Sequence, residues 1–186
     1  MGRTARLLVS VPALLTLALA AAAASAQNAE WRYYSADNGA TKYSPLAEID
    51  KDNVGRLAVA WRHPHVDPAL LAANPDLASP SNRYMATPII VDGTLFVPNG
   101  FGLVEALDPA TGRTVWTQRP LVPGIEGLPA AVISKGVAYW RDGAEARLLT
   151  VRHQYLFALD PRTGEAFEDF GDGGKVDLSA GTPDQR

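Results

Sequence analysis

Two short stretches, Ala106-Leu-Asp-Pro-Ala-Thr-Gly112 and Ala158-Leu-Asp-Pro-Arg-Thr-Gly164, are nearly identical and lie 52 residues apart in a chain of 186 residues. Each reads as the end of an apolar strand followed by a tight turn, because Asp-Pro starts turns and glycine supplies the left-handed backbone. The first copy continues as Arg113-Thr-Val-Trp116, whereas the second has Glu168 at the position of that tryptophan. A long repeat of this kind is typical of a modular β-structure.

A hairpin precedes each copy. The stretch from Thr87 to Val97 contains two apolar runs joined by Asp92-Gly93, which is a strong hairpin signal. The stretch from Gly136 to Val151 repeats this order around Asp142-Gly143. Each unit therefore predicts four antiparallel strands, and four strands in every unit of roughly 40 to 50 residues are typical of β-propeller blades.

We therefore predict an all-β fold, a partial β-propeller with two blades at approximately residues 84–118 and 136–170. Residues 63–83, rich in proline and asparagine, are predicted to form an irregular excursion, and a strand is predicted around Leu57–Trp61. The alternative is a β-sandwich that contains two unrelated hairpins. The matching turn residues and strand order of the two units favour the propeller.

The N-terminus has the pattern of a secretory signal peptide. Arg3 and Arg6 precede a long uncharged run that ends in Ala24-Ser-Ala26, a small-x-small cleavage site. We predict a signal peptide over residues 1–26 with cleavage after Ala26, followed by a domain over residues 27–186. An uncleaved membrane anchor is the alternative, because the run approaches the ~20 apolar residues that span a bilayer.

Composition excludes several classes of protein. The net charge of −3 comes without a basic stripe, which argues against nucleic acid as a partner. The chain contains no cysteine, so it holds no disulfide, no Cys-x-x-Cys-His haem attachment and no cysteine for lipid anchoring.

The repeat Ala-Leu-Asp-x-x-Thr-Gly-x-x-x-Trp resembles the tryptophan-docking repeat of the pyrroloquinoline quinone (PQQ) dependent dehydrogenases, the quinoproteins. The stretch from Trp31 to Trp61 is similar to the N-terminal signature of that family, and Ser134–Trp140 is similar to its Arg-Gly-Val-Ala-Tyr-Trp segment. The membrane-associated glucose, quinate and glycerol dehydrogenase branch is the most similar. Ala130–Ser134 stands where the alcohol dehydrogenase branch has two adjacent cysteines.

The resemblance implies a propeller that closes with eight blades, so we interpret the chain as an N-terminal fragment, truncated at its C-terminus. It implies PQQ and Ca²⁺ as cofactors, with the Ca²⁺ ligands and the catalytic Asp expected beyond residue 186. No catalytic or metal-binding residue is therefore named. Lys135 occupies the position of the family's cofactor-binding Arg and is the one cofactor-binding candidate, with a solvated loop lysine as the alternative. Met85 stands where many relatives have a Glu that contacts PQQ, and we expect it to be a packing residue.

The function implied is oxidation of a sugar, polyol or cyclic alcohol in the periplasm, with hydride transfer to PQQ and electrons passed to respiratory quinone or a membrane subunit. The fragment alone is expected to be inactive. The alternative is a cofactor-free periplasmic scaffold of the outer-membrane assembly type, which would share only the repeats.

Three further groups of residues receive structural interpretations. His63-Pro-His65 has no third ligand nearby, so an exposed loop is favoured over a metal site. The acidic residues around Gly171 do not follow the EF-hand spacing and are expected to form a polar inter-blade turn; they are Asp169, Asp172 and Asp177. The four tryptophans are expected to be packing anchors, namely Trp31, Trp61, Trp116 and Trp140.

Overall fold

The computed structural model describes residues 30–181 apart from 76, 78, 121–131 and 133. Its strands form two four-stranded antiparallel sheets, each with the strands in sequence order, as predicted. The first sheet contains β1 (Ile89–Val91), β2 (Thr94–Pro98), β3 (Val104–Leu107) and β4 (Thr114–Thr117). The second contains β5 (Ala138–Asp142), β6 (Glu145–Arg152), β7 (Tyr155–Leu159) and β8 (Lys175–Asp177).

The two sheets pack face to face as neighbouring blades. One core of buried apolar side chains draws on both sheets, and the edge of Trp116 packs against it. Burial of such side chains is the main favourable contribution to folding. The core consists of Ile89, Val91, Phe96, Val104 and Ala106 from the first blade and Val137, Leu148, Phe157 and Leu159 from the second.

Tryptophans dock onto the glycines of the repeats. The Trp116 Nε1 donates a hydrogen bond to the Pro161 carbonyl oxygen at 3.1 Å. A Cβ placed on Gly164 would lie 2.4 Å from the Trp116 ring, and the φ of Gly164 is +74°. Trp61 repeats this contact on Gly112, again with 2.4 Å from a built Cβ to the ring. Glycine is needed at both positions for the close approach and for the positive φ.

The fourth strand of the second blade begins later than the sequence predicted. After the Thr-Gly turn only Ala166 bridges to Leu159, and residues 168–174 then leave the sheet before β8 resumes pairing with β7. The glycines of this loop have positive φ values, which interrupt a regular ladder. The end of the second blade, predicted near residue 170, is therefore corrected to 177.

The excursion, residues 63–83, contains a short helix, so its prediction as wholly irregular is wrong. This helix, α1, spans Pro68–Ala73. Asp67 caps it by accepting a hydrogen bond from the Ala69 backbone nitrogen at 2.7 Å, and proline is favoured at the first helical position. The excursion packs on the loop between β2 and β3 through a second buried apolar cluster, Val66, Leu70, Phe101 and Leu103.

The strand predicted at Leu57–Trp61 does not form among the described residues. A 3-10 helix at Val54–Arg56 is followed by extended chain without a β-partner, and Leu57 is 61% exposed. A strand needs a neighbour to satisfy its backbone groups. The predicted signal peptide, residues 1–26, lies outside the described residues, within which no helix has the length and apolarity to cross a membrane.

Candidate functional site

The first strands of the two blades, β1 and β5, lie next to each other at their N-terminal ends. The carbonyl oxygen of Lys135, three residues before β5, accepts a hydrogen bond from the Thr87 backbone nitrogen at 3.0 Å. Thr87, two residues before β1, also forms a parallel bridge with Gly136. Because the blades of a propeller surround a central channel, this junction is the candidate site. We call it the axial edge and define it as residues 84–87 and 134–136.

Lys135 presents an exposed side chain at the axial edge. An ammonium group offers a positive charge and three donors, although it lacks the planar fork of an arginine. Such a group fits a ligand that carries carboxylates, and PQQ is a ligand of this kind. The contact between Lys135 and PQQ stays a prediction.

Tyr84 and Met85 belong to the first-blade segment of the axial edge, and each is 50% exposed. Half of the Met85 surface is not covered by the described residues, so the interpretation of Met85 as a packing residue stays a prediction. Burial raises the pKa of the Tyr84 hydroxyl, and the negative charge of Glu105 adds to this effect.

Glu105, on β3, is a functional candidate that the sequence did not reveal. It is only 1% exposed. Its Oε1 accepts hydrogen bonds from Asn99 Nδ2 at 2.9 Å and from the Asp67 backbone nitrogen at 3.2 Å, and its Oε2 lies 2.9 Å from His63 Nε2. A buried carboxylate is tolerated only when it is paired and hydrogen-bonded in this way. The available signal was a charged residue within an otherwise apolar core strand.

His63 is engaged at both ring nitrogens and is not an exposed loop residue. Its Nδ1 lies 3.1 Å from the Gly112 carbonyl oxygen, and its Nε2 faces Glu105. Neither nitrogen is directed toward His65 or toward solvent as a metal ligand would be. Among the described residues, no group of three or more His, Asp or Glu side chains could hold a metal ion.

The acidic loop that follows the second repeat lies within the second blade, which corrects the prediction of an inter-blade turn. The Asp172 backbone nitrogen donates to the Lys175 carbonyl oxygen at 2.8 Å. The Asp177 carboxylate accepts from the backbone nitrogen and the hydroxyl of Ser179, at 2.8 and 2.6 Å. These bonds lower the pKa of Asp177. The side chain therefore serves the local turn.

A charged cluster joins the blades at the opposite end of β5 from Lys135. Asp92, in the first Asp-Gly turn, pairs with Arg141 at 2.7 Å and with Arg32 at 3.3 Å. The two guanidinium groups each lie 5.8 Å from the ring centre of Tyr139. A cavity of about 570 Å³ opens beside this cluster, between the blades. The cavity is therefore remote from the axial edge.

The predicted packing role of the tryptophans holds for Trp61 and Trp116, which dock onto glycines. Trp31 pairs with the edge of β1 through backbone bonds to Ile90, both at 3.0 Å. Trp140 is 42% exposed and lies under the Arg147 guanidinium. Trp140 therefore contributes little to the packing of the described core.

Comparison with known proteins agrees with this geometry. Residues 31–186 match the PQQ family described as the β-propeller domain of glucose, ethanol and alcohol dehydrogenases. The chain belongs to this family. The match includes both repeats, the axial edge and the N-terminal segment from Trp31 to Trp61. The prediction of a quinoprotein-type propeller is thereby confirmed.

Several relatives are named dehydrogenases. The 1-butanol dehydrogenase (cytochrome c) of Thauera butanivorans is 37% identical over 142 residues, which cover 75% of this chain and 18% of that protein. The glycerol dehydrogenase large subunit of Gluconobacter oxydans is 30% identical over 168 residues, or 85% of this chain and 22% of that protein. The quinohemoprotein alcohol dehydrogenase ADHIIG of Pseudomonas putida HK5 superposes with a TM-score of 0.59 at 28% identity, over 84% of this chain and 20% of that one.

These relatives include proteins named alcohol dehydrogenases and one named glycerol dehydrogenase. The butanol dehydrogenase has a higher identity than the glycerol dehydrogenase, so similarity alone does not select the glucose, quinate and glycerol branch. The position of the cysteine pair, Ala130–Ser134, lies mostly outside the described residues. The chain spans about one fifth of the length of the relatives it matches.

Proposed function

We propose that this chain forms the N-terminal blades of a PQQ-dependent dehydrogenase that oxidises a sugar, polyol or cyclic alcohol in the periplasm. The observation that carries the proposal is the family match over residues 31–186. The exposed Lys135 at the axial edge supports it, because the resemblance of Ser134–Trp140 to the family's segment implies that this cation takes the position of the family's cofactor-binding Arg. Relatives named butanol and glycerol dehydrogenases support alcohols and polyols as the substrate class.

Respiratory quinone is the proposed electron acceptor, through a membrane subunit or directly. A relative named alcohol dehydrogenase (quinone), from Gluconobacter oxydans, supports this choice at 31% identity. PQQ, when bound, supplies the hydride-accepting quinone, and Ca²⁺ supplies a Lewis acid with a preference for oxygen ligands. The described residues of the axial edge include the exposed Lys135 and the half-exposed Tyr84.

A cofactor-free scaffold propeller is the second candidate. Scaffolds share the docking repeats, so the contacts of Trp61 and Trp116 are compatible with both functions. The similarity over Trp31–Trp61 and Ser134–Trp140 favours the dehydrogenase, because these segments lie outside the repeats.

Reconstitution of the apo form of the complete protein tests the proposal. Dye-linked oxidation of 1-butanol, glycerol and glucose would be measured with PQQ alone, Ca²⁺ alone, both or neither. We expect activity only with both, and none from residues 27–186 alone. Absence of activity on all three substrates, together with absence of PQQ binding, would support the scaffold.

Export is tested separately. We expect the periplasmic protein to begin at Gln27, which N-terminal sequencing would show. Recovery of intact Met1 in a membrane fraction would establish the anchored form instead.

A further inference from the structure

The buried pair His63–Glu105 has a proton arrangement that its neighbours determine. The Gly112 carbonyl oxygen, 3.1 Å from His63 Nδ1, can only accept a hydrogen bond, so Nδ1 carries a proton. His63 Nε2, 2.9 Å from Glu105 Oε2, then shares one further proton with the carboxylate. The proton is held either by the histidine, as an imidazolium, or by Glu105, as a neutral acid.

The other contacts of Glu105 favour the ionised carboxylate. Its Oε1 accepts two hydrogen bonds, from Asn99 Nδ2 and from the Asp67 backbone nitrogen, and hydrogen bonds to the charged form stabilise it. The pKa of Asp67, whose backbone nitrogen donates to Glu105, is lowered chiefly by a hydrogen bond with Thr114.

These bonds tie the excursion to the first blade. Glu105 belongs to β3, whereas His63 and Asp67 belong to the excursion. The excursion is anchored further along by Gly100, whose nitrogen donates to the His65 carbonyl oxygen at 2.8 Å and whose carbonyl accepts from the Ser81 nitrogen at 2.8 Å. The chain then enters the axial edge directly, at Tyr84.

We propose that Glu105 is a positioning residue: it holds His63 as an imidazolium, and this ion pair holds the excursion against the first blade so that Tyr84 and Met85 are fixed at the axial edge. Burial raises the pKa of Tyr84, and the charge of Glu105 contributes to the same shift. The consequence for cofactor binding rests on the proposed function, whereas the proton arrangement does not.

The proton arrangement is tested by ¹⁵N NMR of the histidines in the complete protein, with His63→Gln used to assign the signals. We expect His63 to show a proton on both ring nitrogens at neutral pH. A wild-type His63 with an unprotonated Nε2 would overturn the proposal, and this measurement needs no variant that must fold. In Glu105→Gln, which keeps the size of the side chain, His63 should retain the Nδ1 proton and lose the Nε2 proton.

The seating of the excursion is tested by hydrogen exchange. Glu105→Ala should accelerate exchange at the Asp67, Gly100 and Ser81 amides and leave the Gly164 amide, in the second blade, unchanged. Gly164 is a matched control because its nitrogen makes a turn hydrogen bond of 2.8 Å to Asp160. Equal acceleration at all four amides would mean a general loss of stability and would contradict the positioning role.

The effect on the cofactor is tested by titrating PQQ into the complete apo-protein with Ca²⁺ present. Glu105→Gln should weaken binding about tenfold, or about 1.4 kcal/mol, with Glu165→Gln, an exposed glutamate of the second blade, unchanged. If Glu105→Gln binds PQQ like wild type, the positioning role is wrong. If wild type itself does not bind PQQ, the proposed function fails while the NMR result on His63 stands.

Discussion

The two blades share one repeat but differ in how they end. The first blade closes with β4, which pairs with β3 directly after the Thr-Gly turn and carries Trp116 to the second blade. The second blade has Glu168 in place of this tryptophan, and residues 168–174 separate its turn from β8. Among the described residues, the first blade therefore binds Trp61 at its own turn and extends Trp116 to the second blade, whereas the second blade binds a tryptophan but extends none.

This difference indicates that the docking tryptophan joins blades and does not hold a single blade together. The second blade keeps four strands without a tryptophan at the end of the fourth. Its strands are instead held by the long β6–β7 ladder and by packing against the first blade. Changes at the docking contact should therefore separate the blades more than they disturb either sheet.

The largest effect is expected from Trp116→Ala in the complete protein. The partly buried ring bridges both blades, and truncating a packed aromatic residue costs about 3 kcal/mol. Denaturant unfolding followed by circular dichroism would measure the loss. Trp140→Ala is the matched control, because that ring is 42% exposed and should cost clearly less. Equal losses at the two positions would contradict the role of docking.

A smaller effect is expected from Gly164→Ala. The new Cβ would meet the Trp116 ring at 2.4 Å in a backbone with φ of +74°. Gly143→Ala is the control, since its φ is +55° but no atom lies within 4 Å of a built Cβ. Gly164→Ala should exceed this control by about 1 to 3 kcal/mol, the usual cost of overpacking. Equal melting temperatures of the two variants would show that the Trp116 ring moves aside at no cost, and would contradict the prediction.

The smallest effect is expected at the Asp160-Pro161 turn, where the Pro161 carbonyl oxygen accepts a hydrogen bond from Trp116. The Arg162 side chain hydrogen-bonds Asp160 and is the main cause of its lowered pKa. A carboxyl with a lower pKa in the folded state stabilises the fold above its unfolded pKa of about 3.9, and this stabilisation is lost as the pH falls through the folded value. The melting advantage of wild type over Asp160→Asn should therefore shrink as the pH drops below about 4.

Asp108→Asn is the matched variant for this test, because Ala110 stands where the second repeat has Arg162. The stability difference between wild type and Asp108→Asn should contain no contribution from a guanidinium group. For an exposed ion pair that contribution is small. A pH-independent difference between wild type and Asp160→Asn would show that Arg162 does not affect the turn.

The repeat and its turn residues were sufficient to predict the sheets, because turn chemistry and alternation are local properties of sequence. The position of β8 was not predictable in this way, since its register depends on pairing with β7 across an intervening loop. α1 was missed although Asp67 and Pro68 are a recognisable helix start. The partners of Glu105 come from two distant segments, so their convergence follows only from tertiary packing.

The axial edge was predicted in part. The segment Ser134–Trp140 indicated Lys135, and its backbone bond with Thr87 joins it to the segment that contains Tyr84 and Met85. The exposure of Met85 could not be read from the sequence, because an apolar side chain near a strand is usually buried.

Calorimetric titration of PQQ into the complete apo-protein, with Ca²⁺ present, tests the central claim most directly. Wild type should bind, and Lys135→Ala should bind more weakly by about 1.5 to 3 kcal/mol, the usual contribution of a charge-assisted hydrogen bond. Lys51→Ala, at an exposed lysine paired with Asp52, should bind like wild type. An unchanged dissociation constant for Lys135→Ala would remove this residue from the cofactor site, and a wild-type protein that does not bind PQQ would contradict the proposed function.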